Sequence, residues 1–255
     1  MGHNFRKRLR AGEMLFGTLV TLPSPDIAEV LSMAGFDWLF LDAEHSPMDA
    51  MHLKGVLQGS GPDLPCLIRL PAGDEVSIKK ALDIGAAGII APMVNSAEDA
   101  ERIVQWSRYA PRGNRGVGLG RAHGYGLRFR QYLDRANDEI AVVVQAEHIR
   151  AAEDMEAIAR VDGVDAVLVG PYDLSASLGR MGEVGHPEVA AAIDRITRGC
   201  LEAGMPLGIF GVDADAVRPY MDRGYTLIVA GVDTMLLGRA AGRLLEELKS
   251  PQGEG

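Results

Sequence analysis

Eight times along this chain a short apolar run is followed by a segment with apolar residues at helical spacing, and that alternation restricts the fold more than any other feature. The runs are LFGTLVTL (15–22), DWLFLDAEH (37–45), PCLIRLP (65–71), AGIIAPMV (87–94), AVVVQAE (141–147), AVLVGPYD (166–173), MPLGIFG (205–211) and TLIVAGVD (226–233). A strand that is apolar throughout is buried on both faces, and a strand–helix–strand unit requires parallel pairing. Helices are expected over 5–13, 23–36, 48–58, 74–84, 96–108, 128–137, 188–203, 213–222 and 234–249, with a further one between the fifth and sixth strands. Eight such units in roughly 250 residues favour a closed (β/α)8 barrel, a TIM barrel. The alternative is an open doubly wound sheet. Against it, LVTLPSPD stands after the first strand where a Gly-rich dinucleotide turn would be needed. The reading is one α/β barrel domain over 1–255, with a short leading helix and a disordered tail at 250–255.

Within this pattern the stretch 142–175 carries the chemistry. Its two strands each end in a carboxylate, Glu147 and Asp173, and parallel pairing brings both to the same end of the sheet. Two hard oxygen donors at a sheet mouth suit a divalent cation such as Mg²⁺. The plainer reading makes Glu147 an acid favoured by a helix dipole and Asp173 the N-cap of a helix starting DLSAS. The coincidence of both acids at matched strand ends, after an unusual Gly-Pro, favours the metal. The other strand ends on that side offer Asp42, Glu44 and His45, then Arg69, Gln145, the backbone of Gly170, Pro171 and Tyr172, and Phe210. Active sites of such barrels gather at these ends. A cation on Glu147 and Asp173 can chelate a 2-oxo acid, and Arg69 can stabilise a developing enolate oxygen. His45 is the candidate base, histidine being the side chain suited to proton transfer near neutral pH, with Asp42 or Asp83 as the carboxylate that orients it. Taken alone, His45 before Ser46-Pro47 fits a capping role as well. Asp83 sits late in a helix, an unfavourable place for an anion unless it has a partner.

The net charge of −9 opposes a nucleic-acid surface. The basic cluster Arg6, Lys7, Arg8 and Arg10 reads as a solvated helix face. No apolar run reaches the roughly 20 residues of a membrane helix, and no apolar h-region follows the basic N-terminus. Two cysteines, Cys66 and Cys200, form no framework, which fits a reducing cytoplasm. The glycine- and arginine-rich stretch 110–126 lacks the phosphate-loop spacing, but Arg112, Arg115 and Arg121 can line the path of an anionic substrate.

Together LDAEHSPMD, IRLP, APMVNSAEDAE, RYAPRGNRGVG, the VQAE strand and GPYDLSASLG make the chain, from about 14 to 245, resemble the HpcH/HpaI aldolase/citrate lyase family, in its class II pyruvate aldolase branch. The resemblance implies a (β/α)8 barrel that cleaves 4-hydroxy-2-oxo acids to pyruvate and an aldehyde with Mg²⁺, Mn²⁺ or Co²⁺. It implies His45 as base, Arg69 as enolate stabiliser and Asp83 as the acid that raises the basicity of His45. It further implies Gln145 and the backbone at Tyr172 as substrate contacts, and Glu147 and Asp173 as metal ligands. A homo-hexamer, a trimer of dimers with C-terminal helices exchanged, is also implied. The chain departs from the family pattern at Tyr172, His148 and Phe210. These departures leave the enolate half intact and bear on the aldehyde and on hydroxypyruvate as an alternative donor. Two other readings stay open: a CoA-thioester lyase using the arginines of 112–121 for the CoA diphosphate, and a barrel that binds a metabolite without catalysis.

Overall fold

A computed structural model describes residues 5–250. Residues 1–4, with His3, and 251–255, most of the expected disordered tail, lie outside the described residues. In chain order the elements are α1 (Phe5–Arg10), β1 (Leu15–Val20), α2 (Pro25–Met33), β2 (Trp38–Asp42), α3 (Ala50–Gly59), β3 (Cys66–Arg69), α4 (Glu75–Asp83), β4 (Gly88–Ala91) and α5 (Ala97–Ser107). There follow α6 (Phe129–Glu139), β5 (Ala141–Ala146), α7 (Ile149–Glu153), α8 (Met155–Ile158), β6 (Ala166–Val169), α9 (Pro171–Ser177), α10 (Pro187–Ala203), β7 (Leu207–Gly211), α11 (Ala214–Met221), β8 (Leu227–Val232) and α12 (Asp233–Lys249). The eight strands close in sequence order into a parallel barrel, β8 pairing with β1.

The two faces of each strand do different work, because side chains alternate along it. Leu39, Leu41, Ile68, Ile89, Val142, Val144, Val167, Val169 and Ile209 face outward and pack with the helices in one large core. Leu15, Leu19, Trp38, Phe40, Leu67, Ile90, Val143, Leu168 and Val229 face inward and fill the barrel. Gly17 makes room for this filling: a Cβ there would lie 2.6 Å from the Trp38 ring. Helix α1 plugs the barrel below, with Phe5 packed on Trp38 at 5.8 Å between ring centroids. The basic residues of α1 are therefore a solvated face only in part: Lys7 and Arg10 are exposed, and the other two are engaged. Arg6 is buried, donating to both carboxylate oxygens of Asp165 at 2.8 and 2.9 Å, and Arg8 pairs with Glu13 and Asp37.

Two local departures from the sequence pattern have physical causes. The helix after β5 breaks at Asp154, whose carboxylate accepts from the amide of Ala97 at 2.8 Å and so serves α5 instead of its own helix. After β6 a helix begins at once: Gly170 stands at the N-cap position and Pro171 opens α9, where a missing amide hydrogen is harmless. Asp173 thus lies within the first turn and is not the N-cap. Helix α12 starts at the upper rim and runs away from the barrel, with Asp233 its buried residue and Leu237, Leu244 and Leu248 exposed. Among the described residues, no helix is long and apolar enough to cross a membrane.

Candidate active site

The inward-facing positions change character as each strand rises. Trp38 and Phe40 give way to Asp42, Leu67 to Arg69, Val143 to Gln145 and then Glu147, and Leu168 to Gly170. The upper layer is thereby polar while the layers beneath it stay apolar. Parallel register sets Asp42 beside Arg69 across β2 and β3. Arg69 donates through Nε and Nη2 to the two carboxylate oxygens of Asp42, at 2.9 and 2.7 Å, and its guanidinium carbon lies 5.4 Å over the Phe40 ring. Glu44 adds a second carboxylate 3.3 Å from Arg69 Nε. Among the described residues Arg69 Nη1 has no protein partner, so one edge of the guanidinium is left for a ligand.

Burial alone would raise the Asp42 carboxyl. The hydrogen bonds and charge of Arg69, with the amides of Glu44 and His45, outweigh burial and hold it below its ordinary value. Asp42 therefore positions Arg69 and the 42–45 turn. Its carboxylate meets His45 at the backbone amide, at 3.3 Å, and not at the imidazole. The imidazole is well exposed at the mouth, its side chain 68% accessible, with Glu44 3.8 Å away. Glu44 is the acid beside His45, and its position two residues past the strand was the signal in the sequence. Burial, reinforced by Asp42 and Asp173, lifts the Glu44 carboxyl above its usual range against the pull of Arg69 and His45.

Asp83 does not join this group within the chain. It ends α4, which leads into the start of β4, so it lies at the opposite rim from His45. There Arg115 Nη2 donates to it at 2.6 Å, answering the question its helix position raised. The 110–126 stretch belongs to the same lower rim. Arg112 pairs with Asp138, and Arg121 donates to the carbonyls of Ile84 and Leu57. The expectation that these arginines line the substrate's path is therefore overturned for the single chain. A cleft of about 970 Å³ opens at that rim among Gln58, Arg121, Tyr125 and Arg128, away from the strand-end acids.

Glu147 is buried and gripped on both oxygens. The amide of Met93 donates to Oε1 at 2.7 Å, and Gln145 Nε2 donates to Oε2. Gly170 is required beside it: a Cβ there would stand 2.9 Å from Glu147 Cβ and 3.2 Å from Oε2. Burial, with Glu44 and Asp173 nearby and despite the Met93 amide, pushes the Glu147 carboxyl up to about 7. Asp173 and Tyr172 are exposed in the first turn of α9, Pro171 is buried beneath them, and Phe210 is half-buried at the top of β7. Asp42, Glu44 and Glu147 act on Arg69, and Asp173 lies within electrostatic reach of Glu44 and Glu147, an excess of negative charge at one rim that calls for a cation. The buried Gln145 Oε1 has no partner, a second sign that the site is built for something further. Among the described residues no three His, Cys, Asp or Glu are grouped so as to hold a metal ion by themselves. Glu147 and Asp173 are oxygen donors of the kind Mg²⁺ or Mn²⁺ takes, and the residues fit such an ion where water and substrate supply its other ligands.

Comparison with known proteins identifies the family. The family model of HpcH/HpaI aldolase/citrate lyase matches residues 14–240. The chain is similar to a hydroxypyruvate/pyruvate aldolase of Cupriavidus necator, 42% identical over 94% of this chain and 90% of that protein. It is similar to a 4-hydroxy-2-oxovalerate aldolase of Rhodococcus jostii, 39% identical over 95% of this chain and 94% of the other. Among solved structures it resembles a HpcH/HpaI aldolase/citrate lyase family protein from Burkholderia cenocepacia, with a TM-score of 0.92 and 38% identity over 96% of this chain and 99% of that one. The chain is an aldolase, a carbon–carbon lyase, and belongs to the HpcH/HpaI aldolase/citrate lyase family.

Proposed function

We propose that the enzyme cleaves 4-hydroxy-2-oxo acids reversibly to pyruvate, or hydroxypyruvate, and an aldehyde, with a divalent metal ion, Mg²⁺, Mn²⁺ or Co²⁺, held by Glu147 and Asp173. The observation that carries this reading is the gathering of four carboxylates at the upper rim, three of them around one arginine with a free edge. When bound, the cation supplies a fixed positive charge that polarises the 2-oxo group of the substrate. In the cleavage direction His45 takes the proton of the 4-hydroxyl, the C3–C4 bond breaks, and the aldehyde leaves. The electron pair passes to the 2-oxo oxygen as an enolate, which Arg69 Nη1 receives while Asp42 fixes the rest of the guanidinium. Return of a proton to C3 gives the 2-oxo acid product. Gln145 contributes its open carbonyl oxygen, and the backbone amide of Tyr172, in the first turn of α9, faces the substrate carboxylate. Tyr172 and Phe210 border the space left for the aldehyde.

Asp83 enters this account only across a subunit boundary, and the molecule has the means to form one. Leu236, Leu237, Leu244, Leu245 and Leu248 are exposed along α12, an apolar face that a partner chain would cover. This supports a homo-oligomer with exchanged C-terminal helices, a hexamer by the family pattern. Two free, buried thiols, Cys66 and Cys200, fit a reducing cytoplasm. The CoA-thioester alternative loses its main support, because the arginines meant for the diphosphate are engaged at the other rim. The test is release of pyruvate from 4-hydroxy-2-oxo acids of differing tail, with added Mn²⁺ and again after chelation. Metal-dependent release is expected. Equal release after chelation would exclude the metal role, and no release from any tail would exclude the substrate class.

A further inference from the structure

Met93 adopts φ 54°, the left-handed region that side chains with a Cβ avoid. Among the described non-glycine residues only Tyr125 shares this conformation, and it lies at the lower rim. Met93 follows Pro92 at the top of β4, directly over the candidate site. Its amide donates to Glu147 Oε1 at 2.7 Å, its side chain is 49% exposed, and the next residue, Val94, returns to the core at 3% exposure. Backbone strain of this kind persists where surrounding structure fixes it, and it concentrates at functional sites. Met93 is half-exposed, so burial of its side chain does not demand this conformation. What the conformation secures is the amide.

We propose that Met93 is a positioning residue for Glu147: its left-handed backbone fixes one amide against Oε1 and thereby sets the carboxylate to receive the metal ion. Gln145 holds the other oxygen, so the carboxylate has a single orientation before any ligand arrives. Gly170 leaves the space into which that orientation fits. Partners behind a metal ligand commonly govern affinity as strongly as the ligand's own geometry. The inference rests on the metal-binding reading given above, and it concerns the backbone at position 93 and not the methionine side chain.

The two possibilities separate in a substitution series. Glycine accepts the left-handed conformation freely and keeps the amide. Alanine keeps the amide under the same strain as methionine. Valine is β-branched and resists positive φ, while proline lacks the amide hydrogen and holds φ near −65°. Mn²⁺ affinity would be titrated on the metal-free full chain by water-proton relaxation, with far-UV circular dichroism to confirm folding. Met93→Gly and Met93→Ala are expected to bind Mn²⁺ within about threefold of the parent, because both keep the amide in place. Met93→Val and Met93→Pro are expected to bind about 10- to 100-fold more weakly. Should the proline variant fail to fold, the glycine and valine variants carry the comparison alone. Weak binding by the glycine variant with full affinity in the valine variant would overturn the proposal in favour of the side chain. Equal affinity across the series would overturn it outright. Glu147→Ala is the control: if it binds Mn²⁺ as the parent does, the metal reading itself fails and takes this inference with it, whereas loss of binding in that control alone leaves the reading standing and the inference refuted.

Discussion

Arg69 shows how a single side chain is prepared for its task by its neighbours. A bidentate bond to Asp42 and the Phe40 ring fix the guanidinium in one plane, with Nη1 open. Substituting Arg69→Ala is expected to lower kcat by at least about 10²-fold, the effect of losing one oxyanion donor. Arg69→Lys should recover little, since a point charge cannot reproduce the fork. Circular dichroism and steady-state kinetics check both. Glu147 makes a pH prediction. Its carboxyl titrates near about 7, above the ordinary 4.5, so between those values the folded, metal-free chain binds more protons than the unfolded one. Stability from this group is therefore present at low pH and is lost as pH rises through about 7. A cation removes that penalty, so the rise in Tm on adding Mn²⁺ should be larger at pH 8 than at pH 5.5; a shift independent of pH would contradict it. The residues of the upper rim were legible because a polar side chain breaks an apolar strand only for a reason. Met93 was not legible, because its contribution is a backbone angle and an amide that every residue possesses. Asp42 and Asp83 are the acids the sequence offers to His45, whereas Glu44 lies beside the imidazole; sequence adjacency alone does not say which acid faces the imidazole and which the arginine.

At the scale of elements, the strand ends and the helix starts carry the account. Gly170 closes β6 and opens α9 in one residue, and its hydrogen side chain is what lets Glu147 lie flat beside it. Gly170→Ala should leave the fold intact but displace the carboxylate, reducing Mn²⁺ affinity and turnover together; titration and kinetics on the folded variant decide it. Asp154 illustrates the opposite case, an acid whose work is structural. Its loss in Asp154→Ala removes a hydrogen bond from the start of α5. A cost of about 1 kcal/mol, seen as a Tm lower by about 2–4 °C with unchanged kcat, is expected. The alternation of strands and helices was readable because burial on both faces of a strand leaves an uninterrupted apolar run. The break at Asp154 was not, because the apolar spacing continues through Met155 and Ile158 on both sides of it. The lower-rim loop reads as a substrate path for a similar reason: arginines near glycines suggest an anion, and only the tertiary partners Asp83, Asp138, Ile84 and Leu57 show that their donors are already engaged.

The whole molecule divides its two rims by purpose. Below, α1 and the buried Arg6–Asp165 pair seal the barrel. Above, negative charge collects around Arg69. Helix α12 leaves this body almost uncovered, with Leu248 75% exposed. For the proposed homo-oligomer, replacing Leu244 and Leu248 by Asp should separate the subunits, read as a lower mass in analytical ultracentrifugation; an unchanged mass would place the subunit contacts elsewhere. The hexamer is an implication of the family resemblance and not of the residues, since an apolar stripe at helical spacing marks a covered face without naming what covers it. The enolate chemistry assigned to the upper rim can be tested without knowing the aldehyde. Exchange of the pyruvate methyl protons in D₂O needs only the metal site, a base and Arg69. With Mn²⁺ the parent enzyme should exchange them, with exchange lost on chelation and in Arg69→Ala. Exchange that survives chelation, or that persists in Arg69→Ala at the parental rate, would contradict the assignment of this rim as the site of enolate formation.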